Sequence, residues 1–193
     1  REQWGYVPDP SIFNPTNLDT DQWVESAAAA GIKYIVLVAK HCTGFCLWPT
    51  NEHDYSIKNT PYKNGKGDIV AEFIASCKKY NIKPGLYYSS SINAFLNVDN
   101  PGTVRSGDIE EQKRYNRIVE NQLTELWTNY GELFEIWFDG GCLPVEKGGP
   151  NILHLLKKYQ PNAIVFQGPR DTKSLIRWVG NEDGVAPLNC WST

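Results

Sequence analysis

Stretches in which apolar residues recur every three or four positions alternate along this chain with short, almost wholly apolar runs. Asp19-Thr20-Asp21-Gln22 reads as a helix start, with acidic residues in the first turn. Trp23, Ala27 and Ala30 then share a face, and Gly31 ends the helix. The run 34–39 follows, so uniformly apolar that it predicts a parallel strand buried on both sides. The unit repeats. Asp68 precedes a helix carrying Ile69, Phe73, Ile74 and Cys77 on one side; Asn81 closes it and 84–88 is the next strand. A longer helix runs from about Asp108 to Asn129, with Tyr115, Ile118, Val119, Gln122, Leu126 and Trp127 at steps of three and four. The strand 134–138 comes next, then a helix near 152–159, the strand 163–166, and a fifth strand over 175–179 with little or no helix before it.

Helices alternating with apolar strands predict an α/β fold built on a parallel sheet, either doubly wound or closed as a barrel. A doubly wound sheet usually places a glycine-rich phosphate loop between its first strand and the next helix. Neither Asn64-Gly65-Lys66-Gly67-Asp68 nor Gly168-Pro169-Arg170-Asp171 has that form or place. The reading is therefore a (β/α)8 TIM barrel. Such a barrel has eight strands, of which five are legible here. The expectation is that 1–193 is one partial barrel domain, lacking the first strand and the later ones. That the chain opens on Arg1 and contains no Met fits a segment of a longer protein.

Composition narrows the function. With 19 Lys and Arg against 22 Asp and Glu, the net charge is -3, which offers no electrostatic basis for binding nucleic acid or an anionic membrane. No apolar run approaches the roughly 18 residues of a membrane span. Seven Trp, ten Tyr and seven Phe suit either a sugar-handling protein or a large aromatic core. The five cysteines (42, 46, 77, 142 and 190) contain no C-x-x-C pair, and an odd number leaves at least one thiol free. Cys77 belongs to an apolar helix face and reads as core.

In a barrel, chemistry gathers beyond the C-terminal ends of the strands. There the sequence places His41, Cys42 and Thr43; Tyr88, Ser89 and Ser90; Asp139-Gly140-Gly141; Gln167-Gly168; and Asn181-Glu182-Asp183. Two strand ends thus carry a carboxylate, Asp139 and Glu182, as retaining glycoside hydrolysis requires. Asp139 reads equally as a turn or cap residue, and Glu182 as a solvated one. Trp137 should point into the barrel by alternation with Phe138. His41, Cys42 and Cys46 make a poor metal set, being one short loop without a second cluster. Adjacent strand residues face opposite ways, so His41 should not reach the side of Cys42. His53 and His154 read as loop and helix-surface residues.

These strand ends resemble the α-L-fucosidases of glycoside hydrolase family 29, through a series of motifs in order. They are Trp4-Gly5 with Phe13-Asn14-Pro15, the run YIVLVAKHCTGFCLW over 34–48, Lys66-Gly67-Asp68, Gly85-Leu86-Tyr87-Tyr88-Ser89 and Glu135-Ile136-Trp137-Phe138-Asp139-Gly140. Arg177-Trp178-Val179-Gly180-Asn181-Glu182 and Cys190-Trp191-Ser192 complete the series. The resemblance implies a retaining exo-glycosidase that removes terminal α-L-fucose from a fucosylated oligosaccharide or glycoconjugate. Asp139 is then the nucleophile and Glu182 the acid/base, while His41, Trp137, Tyr87, Trp4 and Arg177 contact the sugar. No metal or organic cofactor is implied, nor a nucleic-acid or membrane partner. The location implied is secreted, periplasmic or lysosomal. The chain departs from the family in having Cys42 and Thr43 where a histidine and an aspartate are common, and Ser89-Ser90-Ser91-Ile92 after Tyr88, where the family often has a Pro-Trp-Asp segment. Two alternatives stay open: a fucose-binding protein without catalysis, and a barrel glycosidase for another sugar.

Overall fold

The computed structural model describes residues 6–180 and 182–185. The elements run α1 (Thr20–Ala29), β1 (Tyr34–Lys40), α2 (Ile69–Lys79), β2 (Lys83–Tyr88), β3 (Val98–Asp99), β4 (Thr103–Val104), α3 (Ile109–Asn129), β5 (Glu135–Phe138), α4 (Ile152–Tyr159), β6 (Ile164–Phe166) and β7 (Leu175–Ile176). The aspartates that mark helix starts in the sequence do so by capping. Asp19 accepts from the amides of Asp21 and Gln22, Asp68 from Ala71, and Asp108 from Glu111, each bond worth about 1 kcal/mol. Asn81 closes the helix unit before β2 with φ at 55°, a left-handed conformation that asparagine tolerates better than most residues.

Five strands form one parallel sheet in the order β1-β2-β5-β6-β7, while β3 and β4 make a separate antiparallel pair between β2 and α3. The order never reverses. Because crossovers between parallel strands are right-handed, a monotonic order sends every connecting helix to the same face. A doubly wound sheet needs a reversal to cover both faces. This sheet is therefore an arc of a (β/α)8 barrel, as the strand pattern predicts. No described helix is long and apolar enough to cross a membrane.

The two faces of the sheet differ in burial. Leu37, Leu86, Ile136, Val165 and Leu175 are in register on the helix side, where Leu86, Ile136 and Val165 join a core with Val119, Leu123, Leu126 and Trp127 of α3 and Leu156 of α4. On the concave side Val38, Tyr87, Trp137, Phe166 and Ile176 are in register. Tyr34 and Val38 are 44% and 43% exposed there, so β1 is not buried on both sides as its composition suggests. The fully buried residues of β1 are Ala39 and Lys40, at its C-terminal end. Gly85 lets the strands close up, since a Cβ there would meet the Glu135 carbonyl and the Val36 side chain at 2.9 Å each. Helix α1 also differs from expectation. It buries Thr20 and Val24, with Ala28 packed alongside, and Trp23 is exposed, because packing against Phe73 and Cys77 of α2 selects the neighbouring stripe.

Candidate active site

The site begins where β1 loses its regular pairing. Register shifts between Val38 and Lys40, so Lys40 turns to the helix side and is buried. Its Nζ donates to the Ser89 carbonyl at 2.5 Å and lies 4.1 Å from the centre of the Tyr88 ring, tying the ends of β1 and β2 together. Burial of this amine brings it down to about 8. The loop beyond is held from behind. Trp48 Nε1 donates to Glu125 at 2.8 Å, and the Gln122 amide, bonded to the Tyr88 hydroxyl at 2.7 Å, also meets His53 Nε2 at 2.9 Å. His53 is thus a half-buried bracing residue and not the surface loop residue the sequence suggests; burial takes its ring down to about 4. His154 is exposed on α4, as expected.

On the concave face four of the sequence-predicted residues come together. The His41 ring stacks on Tyr87, with centroids 5.7 Å apart and planes at 18°. The Tyr87 hydroxyl donates to Asp139 Oδ2 at 2.5 Å. Trp137 lies against Tyr87 on one side and Phe166 on the other, at 5.7 and 4.7 Å between centroids. Its inward direction is the one alternation predicts; Phe138 faces the helices and meets Trp127. Trp137 Nε1 is buried and has no hydrogen-bond partner among the described residues. A buried N–H without an acceptor is costly, and an oxygen-rich ligand would satisfy it.

Asp139 is neither a helix cap nor a plain turn residue. A run of serines after β2 fixes the loop that follows it. Ser91 Oγ donates to the Asp139 carbonyl at 2.6 Å and Ser90 Oγ to the Gly141 carbonyl at 3.1 Å, while the Tyr115 hydroxyl holds the Ser90 carbonyl at 2.8 Å. Gly140 is needed at this place. Its φ is 68°, and a Cβ there would meet Ser91 Oγ at 2.6 Å. Sequence reasoning assigned no role to Ser91 or Lys40. The available signals were three polar residues in succession at a strand end and a lysine closing an apolar run.

Cys42 is the other correction. The strand has ended at Lys40, so alternation no longer governs positions 41 and 42. A ring nitrogen of His41, Cys42 Sγ and a carboxylate oxygen of Asp139 all lie within 4.8 Å of one another. Cys46 belongs elsewhere: it is wholly buried, with Sγ donating to the Gly44 carbonyl at 3.6 Å and accepting from Gln122 at 3.4 Å. The four described cysteines are free thiols, Cys77 in the core as predicted.

The far side of the site is more open. Arg177 is exposed and lines a cleft of about 630 Å³ with Gly140, Gly141, Cys142 and Gln167. Gln167, at φ 54°, has a buried Oε1 without a partner among the described residues. Glu182 is exposed in a turn beyond β7, and the contacts that join His41, Tyr87, Trp137 and Asp139 do not reach it. Trp4 lies outside the described residues.

A carboxylate fixed at a strand end, on a face walled by aromatic rings, is what a sugar site on a barrel looks like. The alpha-L-fucosidase family profile matches residues 1–174. The chain belongs to the alpha-L-fucosidase family. It is 38% identical over 195 residues to alpha-L-fucosidase 1 of Arabidopsis thaliana, covering 98% of this chain and 36% of that protein. A Bacteroides thetaiotaomicron protein classed with the alpha-L-fucosidases superposes at a TM-score of 0.84 with 41% identity, over 97% of this chain and 43% of its own. A glycoside hydrolase 29 family member from an unknown rumen bacterium gives a TM-score of 0.71 at 35% identity, over 95% of this chain and 34% of its own. The chain therefore spans little more than a third of the curated relative's length, 36%, within the family's catalytic barrel.

Proposed function

We propose that the protein is a retaining exo-α-L-fucosidase that removes terminal α-L-fucose from a glycan. The observation that carries this reading is the Tyr87–Asp139 hydrogen bond at the end of two adjacent strands. It occupies Oδ2 and orients the carboxylate, leaving Oδ1 to attack the anomeric carbon. In the first step the Asp139 oxygen bonds to that carbon as the glycosidic bond breaks, and Glu182 gives its proton to the leaving oxygen. In the second, Glu182 takes a proton from water, which displaces Asp139 and releases fucose with its original configuration. This requires Glu182 to come within about 5–5.5 Å of Asp139. His41, Trp137 and Tyr87 present the wall against which the sugar packs, with Trp137 Nε1 as a donor; Arg177 and Trp4 complete the binding set. The partial barrel domain 1–193 supplies these groups, and further strands close over the concave face. The enzyme acts where glycans are turned over: outside the cell, in the periplasm or in the lysosome.

The test is release of the aryl group from an aryl α-L-fucoside by the full protein. Asp139→Ala should lower turnover by about a thousandfold or more. Azide, as an external nucleophile, should restore part of it. Equal turnover by the variant would remove Asp139 from the reaction. A second reading, fucose binding without turnover, is favoured by the buried Cys42 in place of an imidazole donor. It predicts a folded wild-type chain that binds fucose equally well as Asp139→Asn and hydrolyses nothing.

A further inference from the structure

The turn after β1 gives this site a chemistry that glycoside hydrolysis does not use. His41, Cys42 and Asp139 offer one nitrogen, one sulfur and one oxygen donor, all within 4.8 Å of one another. Tetrahedral zinc has bonds of about 2.0–2.3 Å, which place its ligand atoms roughly 3.5 Å apart. A contraction of about 1 Å by side-chain rotation converts the present spacing to that one. Two of the three residues are in a turn beyond the paired part of β1, where such rotation breaks no strand pairing. Three protein ligands with a fourth position open to the concave face make an open site.

The surroundings suit a metal of a particular class. Ligand carboxylates and thiolates need outer hydrogen-bond donors to hold them. Asp139 has the Tyr87 hydroxyl at 2.5 Å; Ser89 Oγ, which donates to the Ile92 carbonyl at 3.1 Å, lies 3.8 Å from Cys42 Sγ and must turn its proton toward the sulfur to hold a thiolate. Calcium and magnesium require six or more oxygen ligands, which this trio does not supply. A thiolate with an imidazole selects zinc, cadmium or cobalt(II) instead. We infer that His41, Cys42 and Asp139 form a binding site for a thiophilic divalent cation, and that a bound cation switches the active site off by engaging the Asp139 carboxylate. On binding, the Cys42 S–H bond breaks, an S–metal bond forms and the proton goes to water. No electron is transferred. Cation binding stands on the three residues alone; only its effect on turnover rests on the proposed fucosidase activity.

The experiment is titration of the full protein with cobalt(II), read by the sulfur-to-cobalt charge-transfer absorption in the near ultraviolet. The expected result is saturation at one ion per chain, displaced by zinc. Cys42→Ser should abolish the band, His41→Ala should weaken binding by at least about tenfold, and Cys46→Ser should leave it unchanged. Far-ultraviolet circular dichroism of each variant checks that it is folded. A band that persists in folded Cys42→Ser, or no saturable band in the wild type up to millimolar cobalt, overturns the site. In a second arm, zinc should inhibit aryl α-L-fucoside hydrolysis reversibly, with chelator restoring it, and Cys42→Ser should need at least about tenfold more zinc. Cobalt binding with undiminished turnover under saturating zinc overturns the switch. Cobalt binding by a wild type that never hydrolyses the fucoside counts against the fucosidase reading and leaves the cation site standing.

Discussion

The ends of β1, β2 and β5 are built differently from the ends of β6 and β7. At the first three, side chains near Asp139 are tied to partners that position them: Lys40 on the Ser89 carbonyl, Tyr87 on the Asp139 carboxylate, Ser91 on the Asp139 carbonyl. At the last two, β7 has only two paired residues, both exposed, and Arg177 and Glu182 beyond it are exposed as well. The difference matches what each half of the proposed retaining reaction would demand. A nucleophile must meet one carbon atom at one angle, and preorganisation lowers its barrier. An acid/base residue must serve a leaving group in one step and water in the next. It gains less from being locked in place.

The comparison can be tested from both sides. The largest effect should come from the open half. Glu182→Gln should slow hydrolysis of a fucoside with a poor leaving group by roughly a hundred- to ten-thousandfold, and an activated aryl fucoside far less. Equal losses on both substrates would remove Glu182 from the acid role. On the ordered half, Tyr87→Phe deletes a hydrogen bond to a carboxylate worth about 1.5–3 kcal/mol, so kcat/KM should fall by about 10- to 150-fold. An unchanged value would mean that Asp139 is oriented by other groups. Ser91→Ala removes only a backbone tether of the loop, and should cost about 1 kcal/mol, near fivefold in turnover.

The smallest effect on turnover belongs to Lys40, whose signature is in stability. Its amine, brought from 10.5 down to about 8 by burial, resists protonation in the folded chain. Between those values the unfolded chain holds a proton that the folded one lacks, so stability rises with pH, by up to about 1.4 kcal/mol per unit, and the full cost is present below pH 8. Lys40→Met should flatten the rise of the thermal midpoint between pH 8 and 10. A slope that survives the substitution would assign it to another group.

How legible each half was in the sequence follows from the same contrast. The buried stripes of α2 and α3 could be read in outline, because burial on one face writes itself as a period of three and four; the buried Val70, Ser76 and Leu123 beside them were not named. The inward direction of Trp137 followed from alternation, and Asp139 from its place at a strand end. The position of Cys42 beside Asp139 was not legible, because alternation stops with the register shift before Lys40, a tertiary event with no period. Burial of Lys40 and bracing by His53 depend on partners 49 and 69 positions away. The buried stripe of α1 was misplaced by one residue because its alanines fit either face equally. Glu182, like Asp139, was singled out by its place beyond a strand end, but its acid/base role and the sugar contact of Arg177 came from the family resemblance, since exposed polar residues carry no pattern of their own.

The central claim, that Asp139 bonds to the sugar, is met most directly by trapping. The full protein would be inactivated with a fucosyl donor that carries 2-fluorine and an activated leaving group, then digested, and the labelled peptide sequenced by mass spectrometry. The account predicts one fluorofucosyl adduct, on Asp139. An adduct on another carboxylate, or its persistence in the Asp139→Ala variant, would contradict it.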